Sequence, residues 1–184
     1  MLGDALFILW LFLPASLANM APVLARRWGW LDWANLPIDA GRSWRGQRLL
    51  GDHKTWRGLL AGLLLAIACA LIQWWLYDQS QGLRDFYRVD ISNLNPWLWG
   101  GALALGALGG DALKSFFKRQ IGIAPGKNWV PFDQLDFVAG TLLVAYLFID
   151  MPLRFYILAV LLGLFLHPIV NLLGWLLRLK DQPF

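Results

Sequence analysis

An all-α integral membrane protein with five transmembrane helices, its N-terminus outside and its C-terminus cytoplasmic, is the fold class this sequence predicts. Three observations carry the prediction. Of 184 residues, 58% are hydrophobic and only 15% charged, with a mean hydropathy of +0.51, whereas soluble domains carry about 25% charged residues. Five apolar stretches, at roughly 4–25, 58–77, 96–114, 135–150 and 153–177, approach or exceed the ~20 residues a bilayer crossing needs. The basic residues concentrate on alternate connections between them. Composition also excludes disorder, and a lone Cys69 excludes a disulfide framework or a cysteine metal site.

The first stretch has no Lys or Arg before Arg26 and outruns a signal-peptide core, so it is expected to remain as a span. Its polar spot is Asn19, with Ser16 one turn away, a pattern that interhelical hydrogen bonding explains. The connection that follows holds Arg26, Arg27, Arg42, Arg45, Arg48, Lys54 and Arg57. The connection after the third stretch holds Lys114, Lys118, Arg119 and Lys127, and the tail holds Arg178 and Lys180. Only Arg84, Arg88 and Arg154 fall on the other side, so the positive-inside rule makes the two basic connections and the C-terminus cytoplasmic. Trp and Tyr residues cluster at the ends of the stretches, where indole and phenol rings anchor at headgroup level. Gly100, Gly101, Gly106, Gly109 and Gly110 allow the third stretch to pack closely on its neighbours. The fourth stretch is short and spans only if its Asp-rich start sits at the interface. In the fifth, His167 and Asn171 stand one turn apart beside Pro168, where they are expected to bridge a kink or to contact a neighbouring helix. The whole chain, 1–184, is one polytopic domain, with cytoplasmic loops at about 26–57 and 115–134 forming its functional side in a cytoplasmic (inner) membrane.

Polar residues on that side fall into three groups. From Asn95 to Asp111 is about 24 Å of helix, which sets Asp111 near the cytoplasmic boundary but still at membrane depth. Asp111, Lys114, Ser115 and Lys118 are spaced to share one helix face. An interfacial ion pair with snorkelling lysines explains the cations, but an intramembrane carboxylate is costly without a partner or a function. Next, a helix starting near Pro131 places Asp133 and Asp136 on one side of its first turns. Helix capping explains them equally well on spacing alone. With Asp111 they also make a site for a hard cation such as Mg²⁺, and the nearby Lys118, Arg119 and Lys127 suit a polyphosphate bridging metal and cations. The third group is Lys54-Thr55-Trp56-Arg57-Gly58 at the start of the second stretch, where a helix N-terminus favours anions.

These strings resemble a known family. Lys114-Ser115-Phe116-Phe117-Lys118-Arg119 after Gly110-Asp111 is similar to the Ser-x-x-Lys-Arg signature helix of the phosphatidate cytidylyltransferase superfamily. Asp133-Gln134-Leu135-Asp136 is similar to its Asp-Arg-x-Asp ending, and Lys54-Thr55-Trp56-Arg57-Gly58 to its upstream Lys-Lys-Thr-x-Glu-Gly segment. Over most of the chain, including Asn19 with Pro22, the Pro37-to-Gly58 loop and Trp129 to Phe137, the resemblance is to the CDP-archaeol synthase branch. Arg57 in place of Glu, and Gly126-Lys127-Asn128-Trp129 between the signature halves, favour that shorter branch.

The resemblance implies transfer of CMP from CTP to a glycerol-phosphate lipid, dialkyl or diacyl, with release of pyrophosphate. It assigns Asp111, Asp133 and Asp136 to Mg²⁺ and gives them, with Lys118, the catalytic role. Asn19, Asp39, Lys54, Thr55, Arg57, Lys114, Ser115, Arg119 and Lys127 are the candidate substrate contacts. Expected partners are CTP, the lipid phosphate and the surrounding membrane lipids; no nucleic acid is expected, and the sequence neither requires nor excludes a homo-oligomer. Two rivals stand beside this reading: a CTP-dependent polyprenol or lipid kinase, and a non-catalytic membrane transporter or assembly protein. Neither an inverted repeat nor paired interrupted helices favours a transporter.

Overall fold

The computed structural model describes residues 2–124, 127 and 129–176, apart from the side chains of His167 and Asn171. Among the described residues seven α-helices run in the order α1 (Leu2–Leu11), α2 (Leu13–Trp28), α3 (Trp56–Gln79), α4 (Gln81–Phe86), α5 (Pro96–Gln120), α6 (Phe132–Phe148) and α7 (Leu153–Leu176), with a short 3-10 turn at Asp32–Ala34. One two-stranded hairpin, β1 (Ser43–Trp44) and β2 (Gln47–Arg48), lies in the connection between α2 and α3. The described helices match the expected all-α membrane architecture. By length and hydropathy α3 and α7 are able to cross a membrane, and the α1–α2 pair adds a third crossing if it is one bent span. The other two expected spans do not meet that measure: α6 has 17 residues, and the apolar part of α5 is interrupted by glycines, tryptophans and Asp111.

The first apolar stretch, expected as one helix, is bent by 54° between α1 and α2. Pro14 explains the break, because it has no N–H to give the carbonyl four residues back. That carbonyl belongs to Trp10, and the buried Gln73 of α3 supplies the missing donor, its Nε2 lying 2.5 Å from the oxygen. Backbone groups freed inside a membrane need such replacements. By contrast, α7 passes Pro168 as a single helix, and the His167 and Asn171 contacts expected there lie outside the described side chains.

Small residues set the packing. Ala18, Ala66 and Ala104 bring α2, α3 and α5 together with no exposed surface. The larger core packs Phe7, Ile8 and Leu11 of α1 against Leu103 of α5 and Phe155 of α7, with Phe7 and Phe155 edge-to-face at 5.5 Å. Helices α5 and α6 meet through glycine. A Cβ on Gly110 would overlap the Asp136 carbonyl, and one on Gly106 would lie 2.6 Å from the Gly140 carbonyl oxygen. Gly100 makes the same kind of contact with Ala66 and Ile67 of α3. Of the glycines expected to serve packing, Gly109 does not, since a Cβ there meets nothing within 4 Å.

Candidate active site

The long α2–α3 connection is ordered by one carboxylate. Asp39, only 6% exposed, accepts from Arg48 Nη2 at 2.8 Å and from the backbone N–H groups of Gly41, Leu50 and Gly51 at 3.0–3.3 Å. Between these anchors the hairpin turns on Arg45 and Gly46, both at positive φ, the backbone demanded by the tightest hairpin loops. Burial alone would raise the Asp39 pKa. The Arg48 guanidinium and the three N–H donors prevail, however, and hold it well below the usual carboxylate range. Asp39 was expected to touch substrate; its partners here are all groups of its own loop.

The loop returns alongside itself before α3 begins. The Ile38 N–H donates to the Lys54 carbonyl at 2.8 Å and the Trp56 N–H to the Leu36 carbonyl at 3.0 Å. Lys54 is thereby held at the mouth of α3, next to the cap residue. Thr55 caps that helix, its hydroxyl accepting from the Gly58 N–H at 3.2 Å, so this candidate substrate hydroxyl serves helix initiation. Arg57, 8% exposed, is paired with Asp32 at 2.5 Å and fastens the first turn of α3 to the segment after α2.

On α5 the expected shared face forms. The helix continues to Gln120, so Asp111, Lys114, Ser115 and Lys118 stand on successive turns. The glycine contact at Gly110 brings the first turns of α6 against this face, and α6 begins at Phe132 as the proline spacing predicts. Three carboxylates then converge on one ammonium: Lys114 Nζ lies 3.2 Å from Asp111, 3.1 Å from Asp133 and 2.5 Å from Asp136. Lys54 pairs with the other oxygen of Asp111. Lys118 pairs with Asp133 at 3.0 Å and also donates to the Lys127 carbonyl. Asp133 further accepts the Trp129 N–H, and Asp136 the Phe137 N–H at 2.6 Å. The result is an interleaved cluster of three Asp and three Lys drawn from the α3 entrance, α5 and α6.

The remaining candidates take varied places. Ser115 donates back to the Asp111 carbonyl at 2.9 Å, the habit of a helical serine. Arg119 Nε and the neighbouring Gln120 Nε2 are buried donors without a partner among the described residues. The Lys127 side chain is exposed, while Gly126 and Asn128 beside it lie outside the described residues.

Beside the cluster, a cavity of about 310 Å³ lies between α2, α6 and α7. Its wall is apolar apart from Asn19, Ser16 and Thr141, and Phe137, one residue after Asp136, belongs to it. Asn19, a candidate substrate contact, lines this cavity. The hydrophobic pattern of α6 and α7 gave no hint of this cavity, because their apolar residues serve lipid contact, core and cavity alike.

Among the described residues, no group of three or more Asp, Glu, His or Cys side chains could hold a metal ion as placed. The three aspartates meet around Lys114 instead. Their donor chemistry nonetheless suits Mg²⁺, which takes one or two hard carboxylates and completes its shell with water and substrate phosphates.

Comparison with known proteins gives a consistent result. The family model described as CarS-like CDP-archaeol synthase matches residues 1–184. A CDP-archaeol synthase of Methanosphaerula palustris is 40% identical over 94% of this chain and 99% of its own. One from Pyrococcus furiosus is 34% identical over 95% of each chain. A solved structure described as an intramembrane enzyme for archaeal membrane lipids biosynthesis superposes with a TM-score of 0.69 at 34% identity, covering 89% of this chain and 91% of that one. With the whole length matched, and its charge cluster built from the three strings that carry the resemblance, this chain belongs to the CDP-archaeol synthase family.

Proposed function

We propose that this member of the CDP-archaeol synthase family joins CMP from CTP to a dialkyl glycerol phosphate at the charge cluster of α3, α5 and α6. The observation that carries the reading is the juxtaposition of that cluster with the apolar cavity. One feature suits phosphates and the other suits a hydrocarbon chain, and Asp136 and Phe137 connect them along α6. In membrane terms the α1–α2 pair, α3, α5, α6 and α7 are the five crossings. The N-terminus lies outside, and the cluster faces the cytoplasm, where the basic connections lie.

The reaction forms one phosphoanhydride bond and breaks another. An oxygen of the lipid phosphate attacks the α-phosphorus of CTP in line, and the bond to the β-phosphate breaks with pyrophosphate leaving. Two polyanions must approach each other, so charge compensation dominates the barrier. Lys54 and Lys118, now paired with Asp111 and Asp133, would turn to phosphate oxygens, and Arg119 Nε, a buried donor without a partner among the described residues, would supply a further one. The nucleophile is already anionic near neutral pH, so no general base is needed. Asp111, Asp133 and Asp136 would hold Mg²⁺, whose chemistry when bound is to neutralise charge on the phosphate oxygens. Ser16, Asn19 and Thr141 give the cavity its polar spots, and its apolar walls take a lipid chain.

The test uses CTP labelled at the α-phosphate with a panel of ether- and ester-linked lipid phosphates and unphosphorylated polyprenols. Labelled CDP-lipid together with pyrophosphate is the expected product. Labelled CDP with a newly phosphorylated lipid would replace this reading with the kinase, and no turnover on any lipid would leave the non-catalytic alternative.

A further inference from the structure

The ammonium of Lys114 stands where a cation shared by the three aspartates would stand. An ammonium has three N–H donors, and here three different carboxylates lie within 3.2 Å of it. The remaining carboxylate oxygens are partnered as well: Asp111 Oδ2 by Lys54, Asp133 Oδ2 by Lys118 and the Trp129 N–H, and Asp136 Oδ1 by the Phe137 N–H. In charge the cluster is balanced, three carboxylates against the ammoniums of Lys54, Lys114 and Lys118. A free divalent ion therefore finds no net negative charge and no carboxylate oxygen without a donor already on it, and the shared position between the three carboxylates is taken by the Lys114 ammonium. A nucleotide changes both conditions, because its phosphates bring negative charge and offer the ammonium groups new acceptors.

We infer that Lys114 is an internal stand-in for the divalent ion, so that the metal enters with the nucleotide and free metal is refused. This rests on the metal assignment in the proposed function. On nucleotide arrival the ammonium leaves the carboxylates for a phosphate oxygen, and the carboxylates become available to the incoming ion. No bond is made or broken; one cation replaces another. Lys114 is thus a positioning residue that sets the order of binding as well as a phosphate contact. In the resting protein it also spares three carboxylates at membrane depth from standing unpaired.

The test is a Mn²⁺ titration of the full-length protein in detergent, read by the electron paramagnetic resonance of free Mn²⁺, which requires no turnover. With wild-type protein, no binding is expected below about 1 mM without nucleotide, and binding is expected once CTP is added. Lys114→Met should bind Mn²⁺ without nucleotide at least about tenfold more tightly, because one uncompensated carboxylate charge is left. Lys114→Arg keeps the charge and should still refuse free metal, and a melting curve on each variant confirms that it is folded. Wild-type protein that binds Mn²⁺ equally well with and without CTP would overturn the inference, as would a folded Lys114→Met with wild-type affinity. The product assay is independent: CDP-lipid formation alongside either overturning result refutes the Lys114 role while leaving the proposed function intact.

Discussion

Replacing Gly110 by Ala should damage the site without touching any of its charges. A Cβ at this position would overlap the Asp136 carbonyl oxygen, lie 3.0 Å from its carbon and 3.4 Å from the Gly140 nitrogen, and all three belong to the backbone of α6. The overlapping carbonyl oxygen is the nearest of the three and sets the demand, so α6 has to withdraw by about 1 Å or more to restore ordinary contact. Asp136 moves with it, away from Lys114 and Asp111. Misplacement of about 1 Å in an arrangement of reacting groups costs on the order of 10²-fold in rate, while overpacking a helix contact costs about 1–3 kcal/mol of stability. The assay is the initial rate of CDP-lipid formation from labelled CTP, with a melting curve on the same sample. Gly109→Ala is the matched control: it is the adjacent residue of the same helix and has open space around its Cβ. The expectation is a loss of about two orders of magnitude for Gly110→Ala and near wild-type rate for Gly109→Ala. Equal rates in the two variants would refute the claim that the glycine contact sets the carboxylate geometry.

Gln73→Leu leaves the Trp10 carbonyl without its donor and should lower stability by about 1 kcal/mol, read as a lower melting temperature with the product unchanged. For Asp39 the folded-state pKa lies below the unfolded value, so its contribution is complete above about pH 4 and is lost as pH falls through the folded pKa. Hydrogen exchange at Gly41, Leu50 and Gly51 should accordingly be flat with pH, after correction for intrinsic rates, from neutrality to about 4 and rise below that. Asp39→Asn should loosen the same amides at neutral pH. Ala159→Phe narrows the cavity between α2, α6 and α7 and should raise the KM for a long-chain lipid phosphate more than for a short-chain one, leaving the KM for CTP unchanged.

Local spacing made the α5 face legible. Intervals of three, four and seven bring Asp111, Lys114, Ser115 and Lys118 to one side of any helix, and Pro131 announced the start of α6. The Ser80 and Thr55 caps of α4 and α3 are likewise local, each accepting an N–H three residues ahead. Pairings across the chain were not legible. Nothing in the pattern assigns Lys54 to Asp111, 57 residues away, because that contact depends on a loop doubled back by Asp39. Asp39 itself looks like any loop carboxylate until its three backbone donors and Arg48 are seen together. The bend at Phe12 was hidden because an apolar stretch of sufficient length gives the same hydropathy straight or broken. Its one visible sign was Pro14, and Gln73 on another helix completes the explanation.

The account depends most on the three aspartates acting together, and Asp136→Asn tests this most directly. Its side chain is 4% exposed and 2.5 Å from Lys114, and the amide retains the shape while removing the charge. With CTP, Mg²⁺ and lipid phosphate saturating, the rate of CDP-lipid formation should fall by about two to three orders of magnitude while the protein stays folded and membrane-inserted. EDTA should abolish turnover by the unaltered protein. A folded Asp136→Asn variant working within about twofold of the wild-type rate would contradict the account.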